Sequence, residues 1–487
     1  MSTFRGTPSA LVPTFTHPLS ARWAQPGGPW SDEPLDEALT GTTPFEQEIS
    51  EIAGGLAALG VEPGSTVSWQ LANGWPAISL FRACWRLGAV AAPIHHLAGA
   101  ADVEAMVARL APTVFVGTEA ELPSGPPIRT ARSAVDPASV AVALGTSGST
   151  GTPKVALHSH RALLHKARVM TVVHGLGPDD AILLPAPMAH ISGLLNGVLL
   201  GVSGLRVVPM AKWDPARALE IIERDEITFM IGPPAFFVSL VNTPGFTTEA
   251  VRSLRLISCG GSGVTPAFIA STSEALGCRV KRTYGSTEAP TVTTSSADDA
   301  PERAATTDGR PVGLVELRTV DPSGTDTPVG QPGELLVRGP ELFVGYDDPI
   351  ATAAAFAEGG WFRTGDLATL DDEGWLTIVG RIKDVIIRGG ENIATMEIES
   401  MLEAHPDVRE AVVVGQPDLR LGERVCAFVV VERPFALADC RAWFDQHQVT
   451  RFKWPERVEV VDELPLLGSG KPDKAALRAR LAVSPTG

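Results

Sequence analysis

One nine-residue stretch of the chain has the composition of a phosphate-binding loop. The segment TSGSTGTPK, from Thr146 to Lys154, combines two glycines, several hydroxyl side chains, a proline and a lysine, and it follows the apolar run VAVALG. Glycines leave backbone N–H groups free to converge on phosphate oxygens, and hydroxyl and ammonium groups add further donors. The chemistry that suits these residue types at this spacing is phosphate binding.

A Walker A loop and a plain linker are the two alternatives for this stretch. A GxxxxGK[ST] pattern that starts at Gly148 places Pro153 at the second glycine and Val155 at the magnesium-binding hydroxyl. Proline lacks the N–H that such a loop needs, so the Walker reading is excluded. Against a solvated linker, the apolar run before the loop and the helix-like ALHSHRALLHKARVM after it predict a strand–loop–helix unit.

Further motifs follow the loop in order along the chain. They are APMAH (186–190), SCGGS (258–262), YGSTE (284–288), RTGD (363–366), GRIKDVIIRGGENI (380–393) and LPLLGSGK (464–471). With these motifs the sequence resembles the adenylate-forming superfamily, which includes acyl-CoA synthetases, luciferases and peptide-synthetase adenylation domains. The resemblance extends over nearly the whole chain.

The resemblance implies a two-step reaction that uses ATP, Mg²⁺ and coenzyme A. A carboxylate attacks the α-phosphate of ATP to give an acyl-adenylate and pyrophosphate, and a thiol then attacks the mixed anhydride. The first step brings an anion to a polyanion. Charge neutralisation and in-line positioning are therefore the main tasks of the site.

The resemblance also assigns an ATP site. Its members, by motif match, are Thr146, Ser147, Gly148, Ser149, Thr150, Gly151, Lys154, Gly260, Gly261, Ser262, Tyr284, Gly285, Ser286, Asp366 and Arg381. The loop residues match the grip on the departing pyrophosphate, and Tyr284 matches the ring that stacks on adenine. Asp366 and Arg381 match the ribose contacts.

Four residues match the catalytic positions of the family: Lys471, Glu288, Thr287 and His190. Lys471 would bridge the substrate carboxylate and the α-phosphate. Glu288 and Thr150 would hold Mg²⁺, and Thr287 would lie near the α-phosphate. Lys383 matches the hinge about which the C-terminal domain rotates, and Gly389, Gly390 and Glu391 match the wall of the pantetheine tunnel, where glycine lets the arm pass close to backbone.

The predicted acid pocket carries no formal charge. Its candidate walls are His190, Ile191, Gly193, Leu194, Pro234, Phe237, Gly260, Ala289 and Pro290. Amino-acid-activating relatives place a carboxylate near the histidine, and MAHISG offers none. An unpaired substrate ammonium would be costly to bury here, so the sequence predicts an uncharged, largely apolar acid, and the small residues suggest room for a ring or a medium chain.

The elements around these motifs predict an α/β fold. Apolar strands such as TVSWQLA (66–72) and AVAAPI (89–94) alternate with amphipathic helices such as DPARALEIIERDE (214–226), which indicates doubly wound mixed or parallel sheets covered on both faces. After residue 309, strands punctuated by Gly and Pro predict a barrel-like region. We expect an N-terminal domain over 1–380, a hinge at 381–384 and a small mobile α+β domain over 385–487.

Composition limits the partners and the location. The net charge of −16 argues against nonspecific binding to nucleic acid or anionic membranes. The five cysteines are scattered and without CxxC spacing, so a reducing cytoplasm is expected, and we read no signal peptide and no membrane span. A monomer or a homodimer would both suit this chain.

The leading hypothesis is a carboxylate:CoA ligase that acts on a medium-chain, aryl or bulky cyclic acid. The first alternative is a stand-alone adenylating enzyme that hands the acyl group to an acyl carrier protein or a partner enzyme. An alternative of another class is a nucleotide-binding protein without turnover, against which the intact Glu288, Asp366 and Lys471 argue. A luciferase-like oxygenase is the weakest alternative, because most members of the family are ligases.

Overall fold

The computed structural model describes most of the chain. The described residues are 34–39, 41, 45–130, 135–146, 154–261, 263–296, 299–389, 391–418, 420–466 and 472–483. In this part of the chain, no helix combines the length and the apolar character needed to cross a bilayer.

The first sheet has the strand order β15-β5-β4-β2-β1-β3. Its strands are β1 (Thr66–Trp69), β2 (Val90–Pro93), β3 (Val114–Val116), β4 (Val140–Thr146), β5 (Lys154–Ser159) and β15 (Gly345–Tyr346). The pairs β1–β2, β1–β3 and β2–β4 are parallel, as the sequence predicted. The pairs β4–β5 and β5–β15 are antiparallel, so this sheet is mixed.

The second sheet has the strand order β12-β11-β10-β9-β8-β6-β7. Its strands are β6 (Ala181–Leu184), β7 (Arg206–Pro209), β8 (Phe229–Gly232), β9 (Leu256–Gly260), β10 (Arg279–Tyr284), β11 (Thr293–Thr294) and β12 (Arg310–Pro311). From β7 to β10 every pair is parallel, whereas β10, β11 and β12 pair antiparallel.

Helices cover these two sheets. They are α1 (Leu35–Leu39), α2 (Glu46–Ala58), α3 (Trp75–Leu87), α4 (Ala100–Leu110), α5 (His160–His174), α6 (Ile191–Gly197), α7 (Pro215–Arg224), α8 (Pro234–Val241), α9 (Pro266–Leu276) and α10 (Pro301–Thr306). One apolar core contains residues of α3 and α5 together with strands of both sheets. A second core lies against α7, α8 and α9. Two helices begin at side-chain caps, because Asp214 accepts from the backbone N–H of Arg217 and Thr265 from that of Phe268.

The remaining strands form two further sheets. The third sheet contains β13 (Glu316–Val320), β14 (Gly333–Arg338), β16 (Phe356–Ala357), β17 (Trp361–Leu370) and β18 (Leu376–Arg381), all paired antiparallel, with α11 (Pro349–Ala355) beside it. The fourth contains β19 (Ile386–Arg388), β20 (Glu391–Ile393), β21 (Val408–Asp418), β22 (Gly422–Val431) and β23 (Arg457–Val460), with α12 (Thr395–Glu403), α13 (Leu437–Gln446) and α14 (Lys474–Val483). The strands punctuated by Gly and Pro after residue 309 thus correspond to an antiparallel sheet. The C-terminal unit has the expected α+β composition.

One local prediction was wrong. The segment after the glycine-rich loop was expected to be helical from Ala156, but residues Lys154–Ser159 form β5 and the helix begins at His160. Pairing with β4, in which Thr146 lies opposite Lys154, determines the strand. Helix propensity is a weak local preference that such tertiary pairing overrides.

Candidate functional site

The predicted site residues gather where parallel strands end. The strands β6, β8, β9 and β10 run parallel in the second sheet, and their carboxyl ends lead into the segments that carry His190, Pro234, Gly261 and Glu288. In open α/β sheets, ligands bind in the crevice outside the carboxyl ends of the strands. The arrangement of the fold therefore supports one site made from motifs that are far apart in sequence.

A tyrosine, an aspartate and an arginine meet at the predicted ribose position. The hydroxyl of Tyr284 donates to Oδ2 of Asp366 at 2.6 Å, and Nε of Arg381 lies 2.9 Å from Oδ1 of the same carboxylate. Asp366 and Arg381 are also direct partners across β17 and β18. Each oxygen of the Asp366 carboxylate therefore has a partner, and the residue is only 4% exposed.

The environment keeps Tyr284 protonated. Burial, and next the charge of Asp366, raises the pKa of the Tyr284 phenol well above its ordinary value. The backbone N–H of Asp366 donates to the Thr364 hydroxyl at 3.0 Å, which holds the turn before the carboxylate. The Tyr284 phenol therefore stays protonated at neutral pH and donates to Asp366.

Glu288 is held by a residue that sequence reasoning missed, Tyr346. The Tyr346 hydroxyl donates to Oε1 of Glu288 at 2.8 Å, and the Nζ atom of Lys154 lies 4.7 Å from the centroid of the Tyr346 ring. Two of the predicted residues, Glu288 and Lys154, thus contact the same side chain, that of Tyr346. The available signal was composition, because the chain contains only two tyrosines and Tyr284 is the other.

Thr287 is also held by a residue that the sequence did not single out. The Nε2 atom of His158 in β5 lies 2.8 Å from the carbonyl oxygen of Thr287. His158 is completely buried, and burial lowers the pKa of its imidazole to about 4. A neutral ring must donate its Nε2 proton to that carbonyl, so His158 fixes the backbone of the YGSTE motif.

The two ends of the glycine-rich loop lie side by side. Thr146 and Lys154 are partners across β4 and β5, and the Thr146 hydroxyl donates to the Lys154 carbonyl at 3.3 Å. The predicted loop residues between them lie outside the described part of the chain, and so do three other predicted residues. These are Ser147, Gly148, Ser149, Thr150, Gly151, Ser262, Gly390 and Lys471.

The glycines of the motifs differ in what they accommodate. A Cβ on Gly260 would lie 2.3 Å from the carbonyl oxygen of Thr283, and one on Gly285 would lie 2.4 Å from the backbone nitrogen of Thr291. Both glycines are therefore required by neighbouring backbone. Gly261 has a φ of +85° and open space around its Cβ position, which leaves its backbone accessible at the strand end. In the turn that follows Gly285, the Ser286 hydroxyl accepts from the Ala289 N–H at 3.1 Å.

Several predicted pocket walls lie in packed interior instead. A Cβ on Gly193 would meet the carbonyl oxygen of Pro187 at 2.0 Å, so this glycine makes room for backbone and not for substrate. The Cβ position of Gly260 is occupied in the same way, by Thr283. Leu194 and Phe237 are fully buried in two different apolar cores. At Gly193 and Gly260, neighbouring atoms therefore occupy the position of a missing side chain, so the absence of a Cβ at these two glycines does not by itself provide room for a large acid.

The other predicted walls are less enclosed. Ile191 packs partly buried against the first core, and Pro234 begins α8 at intermediate exposure. Ala289 belongs to the core that also contains Tyr346, and Pro290 is buried beside it. These residues remain candidates for the acid pocket.

His190 is accompanied by two histidines from another loop. The ring centroid of His95 lies 5.3 Å from that of His190 in an edge-on arrangement, and His96 stacks on His95 at 4.9 Å. Burial lowers the pKa of both His95 and His96. At neutral pH these rings therefore add polar but uncharged groups beside His190.

Two side-chain amides, those of the partly buried Gln70 and the buried Asn73, hold the loops that carry this cluster. Gln70 donates through Nε2 to the Ala98 carbonyl at 2.9 Å, in the loop of His95 and His96. Asn73 donates through Nδ2 to the Ala186 carbonyl at 2.7 Å and accepts from the Met188 N–H at 2.9 Å, just before His190. One short segment after β1 thus positions both sides of the histidine cluster.

The predicted hinge and tunnel residues lie at the start of the C-terminal unit. Lys383 is in a short 3₁₀ turn, and Asp384 beside it pairs with Arg478 of α14 at 3.1 Å. Burial, and next the charge of Arg381, lowers the pKa of Lys383. Gly389 has a φ of +61° in the turn between β19 and β20, and Glu391 is exposed at the start of β20.

The Glu288 carboxylate suits Mg²⁺ that is bound together with a nucleotide. Among the described residues, no group of three or more His, Cys, Asp or Glu could by itself hold a metal ion. Mg²⁺ prefers oxygen ligands and is commonly bound by one or two carboxylates together with substrate phosphates and water. The half-buried carboxylate of Glu288 meets that requirement.

Comparison with known proteins finds matching family models, curated relatives and solved structures. Residues 43–347 match the family model described as AMP-binding enzyme, and residues 397–471 match the AMP-binding enzyme C-terminal domain. The medium-chain fatty-acid–CoA ligase of Escherichia coli (strain K12) is 32% identical over 479 residues, which cover 89% of this chain and 84% of that protein. The feruloyl-CoA synthase of an Amycolatopsis species is 32% identical over 460 residues, with 90% and 93% covered. The crystal structure of ATP-bound MatB from Rhodopseudomonas palustris superposes with a TM-score of 0.82 at 27% identity, over 90% of this chain and 92% of that one.

Proposed function

The chain belongs to the AMP-binding enzyme family and is an enzyme of the acyl-CoA synthetase type, and we propose that it activates a largely apolar, uncharged carboxylic acid with ATP. The acid oxygen attacks the α-phosphorus, and the bond to the pyrophosphate oxygen breaks. The sulfur of coenzyme A then attacks the acyl carbon, AMP leaves with the anhydride oxygen, and the thiol proton is released.

One observation carries the proposal. A single motif, YGSTE, provides Tyr284 to the Asp366–Arg381 pair and Glu288 to the Tyr346–Lys154 pair. Asp366, the proposed ribose acceptor, thus contacts one end of this five-residue motif. Glu288, the proposed ligand of Mg²⁺, forms the other end, and Lys154, the proposed phosphate contact, lies beside it. This order along the motif suits a nucleoside triphosphate, with its sugar at one end and its phosphates at the other.

Each residue in the ATP site has a role that its chemistry supports. Asp366 accepts from the ribose hydroxyls, while Arg381 pairs with that carboxylate at 2.9 Å and orients it. Lys154 neutralises charge on the departing phosphates, and Glu288 and Thr150 would hold Mg²⁺, which supplies further neutralisation when bound. Thr287 lies next to Glu288 and would donate to the α-phosphate. The catalytic ammonium is proposed to be Lys471, on the glycine-flanked segment before α14.

The acid is proposed to be an aryl or medium-chain carboxylate. The candidate walls that remain, Ile191, Pro234, Ala289 and Pro290, are apolar. The accompanying histidines are neutral at pH 7, because burial lowers the pKa of His95 and His96. A substrate ammonium would find no carboxylate among these residues, and its burial would be costly. Relatives that act on medium-chain fatty acids and on ferulate accord with such a pocket.

Thioester formation is proposed to use a second orientation of the C-terminal unit. The boundary would lie at 381–384, with Lys383 as the hinge residue, and Gly389, Gly390 and Glu391 would line the path of the pantetheine thiol. Coenzyme A is the proposed acceptor. An acyl carrier protein presents the same pantetheine arm, so the acceptor is an explicit arm of the test.

The test is pyrophosphate release with ATP and Mg²⁺ over a panel of aryl, medium-chain and amino acids, each without an acceptor, with coenzyme A and with a pantetheinylated carrier protein. We expect release with aryl or medium-chain acids and acyl-CoA in the presence of coenzyme A. Lys471→Ala should abolish adenylate formation, whereas Lys212→Ala, an exposed lysine, should behave as wild type. The hinge variant Lys383→Pro should still form adenylate but lose thioester formation.

The outcomes separate the alternatives. If no acid gives adenylate, the chain is not an acid-activating enzyme. If adenylate forms but only a pantetheinylated carrier protein accepts the acyl group, the coenzyme A assignment fails and the carrier-protein alternative stands. Turnover of amino acids alone would contradict the uncharged pocket, and equal loss of both half-reactions in Lys383→Pro would contradict the hinge.

A further inference from the structure

Tyr346 lies between an anion and a cation of the proposed phosphate site. Its hydroxyl donates to Oε1 of Glu288 at 2.8 Å, and its ring faces Nζ of Lys154 at 4.7 Å from the centroid. The side chain is 7% exposed, so both contacts are made away from bulk water. A hydrogen bond to a charged group is stronger than one between neutral groups, and cation–π contacts gain when they are desolvated.

The position of Tyr346 is determined by strand pairing. β15 pairs antiparallel with β5, and Tyr346 lies opposite Ala156. Side chains two residues apart in a strand share one face, so Lys154 lies on the face of Ala156 and reaches diagonally over the Tyr346 ring. The contact between Lys154 and Tyr346 is therefore a consequence of register.

Neighbouring contacts hold Tyr346 in this position. The Tyr346 backbone N–H donates to the Thr352 hydroxyl at 2.8 Å, and the Phe343 ring packs edge-on at 4.9 Å. Asp347, the next residue, accepts from Nη2 of Arg109 at 2.9 Å and from the backbone N–H of Val155 at 3.2 Å. These contacts join β15 to β5 directly beside the glycine-rich loop.

The same segment also holds the backbone of Glu288. The Phe343 N–H donates to the Glu288 carbonyl at 2.8 Å, while Tyr346, three residues later, takes the carboxylate. Burial, and next the charge of Glu288, raises the pKa of the Tyr346 phenol above its ordinary value, so the donor stays protonated. Backbone and side chain of Glu288 are thus both set by residues 343–346.

We propose that Tyr346 is a positioning residue for adenylate formation: it orients the Glu288 carboxylate toward Mg²⁺ and keeps the Lys154 ammonium beside the departing phosphates. The proposal rests on the proposed function, because it takes Glu288 and Lys154 to be parts of an ATP site. Tyr346 acts through these two residues and does not itself contact substrate.

The first experiment compares Tyr346→Phe with Tyr346→Leu in ATP–pyrophosphate exchange at varied free Mg²⁺. The Phe variant keeps the ring and loses the hydroxyl, so we expect the half-saturating Mg²⁺ concentration to rise by about tenfold, with the KM for the acid within about twofold of wild type. The Leu variant also loses the contact with Lys154, and its kcat should fall further than that of the Phe variant. Thermal unfolding of both variants reports whether the fold is retained.

A double-mutant cycle isolates the path through Glu288. If Tyr346 acts by orienting that carboxylate, Tyr346→Phe should cause no further loss in a Glu288→Gln background. Independent, additive losses in the two backgrounds would overturn the proposal. So would a Tyr346→Phe variant with the Mg²⁺ dependence of the wild type.

A binding measurement keeps this proposal separate from the proposed function. ATP binding by calorimetry at varied Mg²⁺ needs no acid and no turnover. If wild type binds ATP but activates no acid, the proposed function fails, and Tyr346 is then judged on ATP binding alone. The expected result is a higher Mg²⁺ requirement for ATP binding in Tyr346→Phe, and an unchanged requirement would refute the positioning role. Should the Leu variant fail to fold, the isosteric Phe variant still decides.

Discussion

The hydroxyl of Tyr284 donates to the carboxylate of Asp366 at 2.6 Å, across 82 residues of sequence. Tyr346 makes the corresponding contact with Glu288 at 2.8 Å. Since the chain has two tyrosines in all, both are used to fix a carboxylate of the proposed ATP site. Each phenol lies in an environment that raises its pKa, so each remains a donor.

Loss of the Tyr284 hydroxyl should weaken ATP binding without affecting the acid. Tyr284→Phe keeps the ring for adenine but removes the bond that holds Asp366, and we expect the KM for ATP to rise by about three- to tenfold. Asp366→Ala removes the ribose acceptor itself and should have the larger effect. The KM values for ATP and acid in the exchange assay check this, and a Tyr284→Phe variant with the ATP KM of wild type would contradict it.

Stability should fall in mild acid because of His158. Its folded pKa of about 4 lies below the unfolded value near 6.5, so the unfolded chain binds more protons between these values. The contribution of this histidine is therefore fully present above pH 6.5 and is lost as the pH falls toward 4; at pH 5 the loss is about 2 kcal/mol. His160 has a similarly lowered pKa and adds in the same direction.

The matched variant for this effect is His158→Gln, whose amide can still donate to the Thr287 carbonyl but does not titrate. Thermal unfolding from pH 7.5 to pH 5 should show a smaller decrease in stability for this variant than for wild type. Parallel curves for the two proteins would contradict a neutral, buried His158.

A methyl group on Gly193 should disturb the loop before His190. Alanine is normally favoured over glycine in a helix, yet here its Cβ would lie 2.0 Å from the Pro187 carbonyl oxygen. We expect Gly193→Ala to destabilise the protein by about 1–3 kcal/mol and to raise the KM for the acid. The neighbouring exposed residue provides the control: Ser192→Ala should leave both quantities near wild type.

A buried ion pair behind the YGSTE motif should be costly to break. Lys166 lies 3.0 Å from Glu341 and also donates to the Thr291 carbonyl, and both charged side chains are almost completely buried. Lys166→Met should destabilise by about 3–5 kcal/mol, because it leaves a buried carboxylate without its cation. The double variant Lys166→Met, Glu341→Met should recover much of that loss in thermal unfolding; if it is no more stable than the single variant, the buried charge is not the cause.

Replacement of His95 should affect acid use and not ATP use. The His95 ring contacts His190 edge-on and accepts the Leu97 N–H at 3.0 Å, so His95→Leu should loosen this wall of the proposed pocket. We expect the KM for the acid to rise by several-fold, with the KM for ATP unchanged. Leu97→Ala, at a side chain that is 64% exposed, is the control and should retain both values.

Much of the fold followed from local pattern. Helix α7 lies within the segment 214–226 that the pattern predicted to be helical, and the parallel pairs from β6 to β10 match the alternation of apolar strands and helices. Side-chain periodicity and capping act over a few residues, so they can be read directly along the chain. The prediction failed at Ala156, where pairing with β4 outweighs the helical pattern.

The amino-acid sequence by itself indicated the family and the reaction class and singled out Tyr284, Glu288 and Asp366 as candidate site residues, because these are carried by contiguous motifs. Tertiary structure decided what holds them: Tyr346 on Glu288, His158 on Thr287, and the His95 loop beside His190. It also showed that a backbone carbonyl, that of Pro187, fills the space that the missing side chain of Gly193 suggests. Such contacts join residues that are distant in sequence, and only the packing of strands and loops determines which of them meet.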